Sequence, residues 1–409
     1  MSKKYLKIIN GNIITPYRMI RNGQLLISDG KIETVSEGEI AISGAEVMDV
    51  EGDYISPGFI DIHVHGGGGS DVMDNDINAF LKVAETHVRF GTTAMLPTTL
   101  TSTKAEIIRL LDTYERAAVK NTKGARFLGV HIEGPYFAMD QRGAQDPRYI
   151  RDPDPAEYLE ILNSSSSIAR WSVAPERNGA IPFGDVLRGR GILPSIAHTD
   201  ALYSDAIQAF EHGYSLVTHL YSAMLGVTRR NAFRYGGVVE SAFLIDEMDV
   251  EIIADGRHLP SELLRLVYKI KGADRIALIT DAMRAAAMPE GPSILGSLTD
   301  GMDVLVEEGV AKLPDRSAFA GSTATTDRLV RTIVKEAGIP LVDAVRMMTA
   351  TPARILGVDR SIGTLVTGKQ ADIVRFDENI NVKMTMIKGE IIHSASEVAS
   401  GTHHGETVR

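Results

Sequence analysis

No cysteine occurs among the 409 residues, which excludes disulfides, a thiolate nucleophile and Cys-ligated zinc. Any metal must therefore be held by histidine and carboxylates. No stretch reaches the ~18 consecutive apolar residues of a membrane span. The start, MSKKYLKIINGNIITP, lacks the apolar core and small-residue cleavage site of a secretory signal, so a cytoplasmic protein with no membrane partner is expected. Positive charge is in deficit, with 43 Lys and Arg against 53 Asp and Glu and a net charge of −10. Counterion release needs clustered cations, so a broad nucleic-acid surface is excluded, whereas a local cationic pocket for an anionic small molecule is not. What is present, 44% apolar and 23% charged residues, is the profile of an ordinary folded acidic protein. The length suits one barrel of roughly 250 residues with an attachment.

The first fifty-odd residues read as short strands at 6–9, 24–27, 31–35 and 46–50. Turn signals separate them at Asn10-Gly11, Asn22-Gly23 and Asp29-Gly30. The same texture returns at 373–376, 381–387 and 390–393, with Lys388-Gly389 as a turn. Both chain ends are thus expected to build one small β-domain, sandwich-like, from residues 1–56 and 358–400, with 401–409 as a tail. Between them, β-prone apolar runs at 58–63, 93–97, 127–133, 170–175, 193–198, 216–219, 250–254 and 276–281 alternate with helix-like segments at 77–90, 104–119, 204–212, 261–271 and 326–337. Eight parallel strands buried on both faces imply an α/β fold, a (β/α)₈ TIM-type barrel over 57–357.

Barrel enzymes carry their chemistry at the C-terminal ends of the strands. Here strand one ends in His63 and His65, strand three in Glu133, strand five in His198, strand six in His219 and strand eight in Asp281, while strand seven runs into Asp255 and His258. His63 and His65 are two apart, so on a strand they leave from one face and can grip one ion. The loop Gly66-Gly67-Gly68-Gly69 after them has no side chains to block a ligand. Gly134-Pro135 turns the chain sharply behind Glu133. Together His63, His65, Glu133, His198 and His219 supply the imidazole and carboxylate donors that Zn²⁺ or Fe²⁺ prefers. Asp281, a carboxylate beside a dication, would stay charged and could move protons.

These segments, followed by Thr280-Asp281-Ala282, Ala320-Gly321-Ser322 and Gly368-Lys369-Gln370-Ala371-Asp372, resemble in order the N-acetylglucosamine-6-phosphate deacetylase family of the amidohydrolases. The resemblance implies a hydrolase that removes the acetyl group from an amino-sugar phosphate. It implies a principal metal on Glu133, His198 and His219, with a second ion plausible because His63 and His65 are both intact. It also implies Asp281 as general base and acid, His258 in the substrate site and a homodimer. Three departures stand out. Gln145 lies where some members have a carbonyl-polarising His, so Gln145 or His258 is left to stabilise the oxyanion. Ser222, beside Ala223, replaces an Asn that faces the sugar phosphate. The family's Arg-Glu-Pro-Gly gives way to residues 228–237, whose Arg229 and Arg230 are, with His258, the candidates for the phosphate. Rival readings are an amidohydrolase acting on another N-acetylhexosamine phosphate or N-acyl amine, and a retired barrel serving as a binding module.

Overall fold

The computed structural model describes residues 4–395. The expected tail and the last residues of the second small-domain segment lie outside that range. Strands Tyr5–Ile14, Met19–Ser28, Lys31–Ser36, Glu46–Asp49 and Tyr54–Pro57 pair with Ile373–Phe376, Val382–Ile387 and Glu390–Ser394 in one eight-stranded sheet. The two chain ends meet where Ile373 lies opposite Pro57. Ile8, Ile13, Leu25, Ile55, Ile373 and Met386 share one core, so strands distant in sequence bury one another's apolar face. Two of the three expected turns are absent there. Asn10 and Asn22 sit inside strands at φ 58° and 51°, with Gly11 opposite Gly23 and a register shift on either side. An Asn-Gly pair supplies a positive φ, and a paired strand uses that for a bulge as readily as a hairpin does for a turn. Asp29-Gly30 does close a two-residue hairpin, at φ 51° and 72°.

Among the described residues, eight parallel strands fill the middle of the chain: Phe59–Val64, Thr92–Pro97, Val130–Glu133, Ile168–Val173, Leu193–Ile196, Leu216–Val217, Asp249–Ile253 and Ile276–Ile279. The first two belong to one sheet, completed by the short strand Arg126–Phe127, and the last six to another. Parallel bridges join the sheets at both edges, Thr98 to His131 and Val64 to Ala282. Asp281 N donates to His63 O at 2.9 Å across the second of these junctions, which sets the end of strand eight against the end of strand one. Helices cover the outer faces. Lys104–Lys120 shows why: Thr103 caps it by accepting from Glu106 N, and Ile107, Leu110, Leu111, Tyr114 and Ala117 line one buried stripe.

Some elements were not anticipated. Helices Val238–Leu244, Leu341–Met348 and Ala350–Ile355 are too short for a clear period, and Pro155–Ser164 and Ala180–Gly189 carry proline, serine or glycine that reads as turn or loop. After strand eight, strands Gly291–Leu295, Met302–Glu307, Val310–Lys312 and Phe319–Ser322 form an antiparallel sheet, tied to the end of strand eight by the bridge between Ser322 and Ala282. Nor are the eight strands uniformly apolar: Arg170, Ser172, Ser195 and Glu251 are all fully buried within them.

Gly58, the joint between small domain and first parallel strand, packs against Thr93, whose Oγ1 would lie 2.1 Å from an added Cβ. Thr93 is itself buried and bonded to Phe59 O at 3.2 Å, so it has little room to yield. Gly58→Ala should therefore destabilise the protein by about 1–3 kcal/mol. An unchanged thermal midpoint would contradict that packing.

Candidate metal centre

The backbone turns sharply where the chemistry is expected. His198, His219, Tyr221, Ala223 and Asp281 all adopt positive φ, between 31° and 78°. Side-chain-bearing residues pay about 1–2 kcal/mol for that conformation, and such residues concentrate where function overrides local preference. Here the turns aim His198, His219 and Asp281 at the same small volume as His63, His65 and Glu133.

Glu133 is at the centre. Its Oε1 lies 3.1 Å from His219 Nε2 and 3.4 Å from both His63 Nε2 and His198 Nε2. Its Oε2 lies 3.6 Å from His65 Nε2. Donor atoms of His63, His65 and Glu133, and of Glu133, His198 and His219, each lie within 4.8 Å of one another. Two ligands bound at about 2.0–2.1 Å to one tetrahedral ion are about 3.3–3.4 Å apart, which is the spacing found here. Asp281 Oδ1 is 3.0 Å from His65 Nε2 and 3.4 Å from His63 Nε2, on the one member of the cluster with appreciable exposure, 13%.

The imidazoles are oriented from behind. His198 Nδ1 donates to Gln141 O at 2.8 Å and His65 Nδ1 to Thr98 O at 3.1 Å, and His63 Nδ1 faces Glu251 Oε2 at 3.4 Å. A carbonyl oxygen can only accept, so these contacts put the ring proton on Nδ1 and leave Nε2 as the electron-pair donor. His219 Nδ1 is buried without a partner. The Nε2 atoms of His63 and His65 then face each other at 3.2 Å, an arrangement that calls for a shared cation. Without one, the cluster draws in protons. Burial alone would lower His63, but the charges of Glu133 and Asp281, with the hydrogen bonds it donates to Glu133 and Glu251, push it up to about 10. Burial would raise Glu133, yet the His63 charge and the bonds from His198 and His219 hold it well below the usual carboxylate range. Asp281 is lowered against its burial by the His63 charge and the bond to His65. The residues fit a divalent ion.

The other expected residues divide into two groups. Gln145, Ser222, Ala223 and His258 line a cavity of about 390 Å³ that opens onto Glu133 and Asp281, a volume within the ordinary range for a small-molecule site. His258 Nδ1 is bonded to Asp255 Oδ2 at 2.8 Å and its ring packs on Phe319 at 4.7 Å. Gln145 is anchored at both ends of its amide: Oε1 accepts from Thr101 N at 2.8 Å, and Nε2 donates to Glu133 Oε2 at 2.7 Å. The structure thus gives it a grip on the central carboxylate, a contact the sequence did not suggest. Arg229 and Arg230 are elsewhere, exposed on the hairpin of Thr228–Arg230 and Phe233–Tyr235 and away from the cavity wall.

Sequence reasoning missed Glu251, Arg170, Gln141 and the wall supplied by Leu295 and Phe319. A charged residue inside each of two β-prone runs was the available signal for the first pair.

The chain matches the model of the amidohydrolase family over residues 54–392. This protein belongs to the amidohydrolase family. Members of this family use a divalent metal, and this amidohydrolase has buried His and Glu groups able to hold one. It is 31% identical to an N-acetylgalactosamine-6-phosphate deacetylase of Escherichia coli O157:H7, over 93% of this chain and 97% of that protein. It is 32% identical to an N-acetylglucosamine-6-phosphate deacetylase of Lysinibacillus sphaericus, over 95% and 98%. Among solved structures, a mutant N-acetyl-D-glucosamine-6-phosphate deacetylase of Mycobacterium smegmatis in complex with N-acetyl-D-glucosamine-6-phosphate superposes with a TM-score of 0.87 at 29% identity, covering 96% of this chain and all of that one. A TIM-type barrel with a second domain is the architecture these relationships imply for the amidohydrolase. No helix among its described residues is long and apolar enough to cross a membrane.

Proposed function

We propose that this amidohydrolase removes the acetyl group from N-acetylglucosamine 6-phosphate, releasing acetate and glucosamine 6-phosphate in amino-sugar catabolism. The observation that carries the reading is the convergence of Glu133, His65, His198, His219 and Asp281 on one cavity, with His63 buried against them. We assign Glu133, His198 and His219 to a principal ion and His63, His65 and Glu133 to a second, with Zn²⁺ or Fe²⁺ as the metal and one or two ions per chain. A bound divalent ion would supply Lewis-acid activation of water and of the acetyl carbonyl.

The chain's own residues do the rest. Asp281, ionised and partly exposed to the cavity, takes a proton from the attacking water and returns it to the departing amine. His258, its Nδ1 held by Asp255, presents Nε2 to the substrate. Gln145 keeps Glu133 in place, and Ser222 and Ala223 border the sugar. On this reading residues 57–357 form a closed (β/α)₈ barrel, and the described residues of 1–56 and 358–400 a sandwich-like small domain.

Arg229 and Arg234 are directly opposed across the exposed hairpin, an unfavourable pairing unless an anion or a partner compensates it. Phe233 on the same hairpin is 71% exposed. These features support a homodimer in which Arg229 or Arg230 reaches the phosphate of the neighbouring copy, and the proposed phosphorylated substrate suits a cytoplasmic enzyme. kcat/KM for the 6-phosphate should then exceed that for unphosphorylated N-acetylglucosamine by at least about a hundredfold, or ~2.7 kcal/mol. Equal acetate release from both sugars would remove the phosphate from the substrate. The similarity to an N-acetylgalactosamine-6-phosphate deacetylase favours a second reading, the galactose epimer, and the same assay run on both phosphates ranks the two.

A further inference from the structure

A guanidinium inside a barrel of apolar strands is costly unless its donors are met. Arg170 is fully buried in the fourth parallel strand, and its contacts extend to three others and to Thr218 just past the sixth. Nε donates to Ser195 Oγ at 2.9 Å, Nη1 to Ile62 O at 3.3 Å and Nη2 to Thr218 Oγ1 at 2.6 Å. Its two terminal nitrogens also fork onto the carboxylate of Glu251, Nη1 to Oε1 and Nη2 to Oε2. Buried pairs of this kind are often no more stabilising than well-packed apolar residues, so stability alone is a weak reason for the arrangement.

Glu251 also faces the metal centre. Its Oε2 is 3.4 Å from His63 Nδ1 and 3.4 Å from the backbone N of His219. One carboxylate oxygen therefore reaches a member of each candidate ligand group. We propose that Glu251, clamped by Arg170, is a positioning residue for the metal centre. It holds the proton of His63 on Nδ1 so that Nε2 is free to bind an ion. The proposal rests on the metal-centre assignment above and goes beyond it, because neither residue is itself a ligand.

The test is a Zn²⁺ titration of metal-stripped protein against a competing chelator, comparing wild type, His63→Asn and Glu251→Gln. Glu251→Gln should weaken by about 10–100-fold the binding step that His63→Asn abolishes, and leave any other step within about threefold. A purely structural pair would lower the thermal midpoint without singling out that step. A folded Glu251→Gln protein that binds Zn²⁺ as wild type does would overturn the proposal. So would a wild type whose binding is unaffected by His63→Asn, although Glu133, His198 and His219 would then still stand as a centre. A wild type that binds no Zn²⁺ would overturn that centre as well. Should Glu251→Gln fail to fold, imidazole NMR of the zinc-loaded wild type decides. The Nδ1 proton of His63 should exchange more slowly than that of His219, which has no acceptor, and equal exchange would sink the idea.

Discussion

Replacing Asp281 by asparagine should lower kcat by about 10²–10⁴-fold, the usual worth of a positioned proton carrier, while bound metal is retained. The carboxamide keeps the shape and the Oδ1 contact at 3.0 Å to His65 Nε2 but cannot accept and return a proton. The expectation rests on three observations. Asp281 sits at the end of strand eight beside the ends of strand one, where its backbone N bonds to His63 O. Its carboxyl is kept ionised, against burial, by the His63 charge and the His65 bond. It is also the more exposed of the cluster's two acids that border the cavity. A loss confined to the transition state should appear equally in kcat and kcat/KM. Near-normal kcat in Asp281→Asn would remove the proton-transfer role, whatever became of the metal.

Glu133→Ala should have the larger effect, because Glu133 is the one member common to both candidate ligand groups. Its two oxygens face four imidazoles at 3.1–3.6 Å. Metal content should fall with activity, and turnover should drop by more than about 10⁴-fold, equivalent to ~5.5 kcal/mol. His63→Asn should cost less if the Glu133–His198–His219 group carries the essential ion. Elemental analysis with acetate-release kinetics on the same preparations tests both statements. Full metal stoichiometry in Glu133→Ala would refute the central place of this carboxylate.

Much of the site could be read from strand ends. His63, His65, Glu133, His198, His219 and Asp281 each close a β-prone run, and a parallel barrel must bring such ends to one face. The alternation of runs and helices likewise announced the α/β class. Local signals misled where their physics serves two outcomes. Asn10-Gly11 and Asn22-Gly23 supply a positive φ, which became a bulge once the strands paired through them. The apolar look of the strands concealed Arg170 and Glu251, which are 81 residues apart and meaningless until paired.

The ionisable side chains that could hold a metal, and the absence of cysteine among them, are properties of the amino-acid order, because ligand chemistry belongs to residue type. Which atoms those side chains present was decided only in three dimensions. The tautomers of His65 and His198 depend on the carbonyls of Thr98 and Gln141, and the posture of Glu133 on the amide of Gln145. The same holds for Arg229 and Arg230, which adjoin the site in sequence but stand on an exposed hairpin beyond it. Hydrogen-bond partners 12 to 57 residues away leave no local trace, because their contact exists only after the barrel strands have aligned.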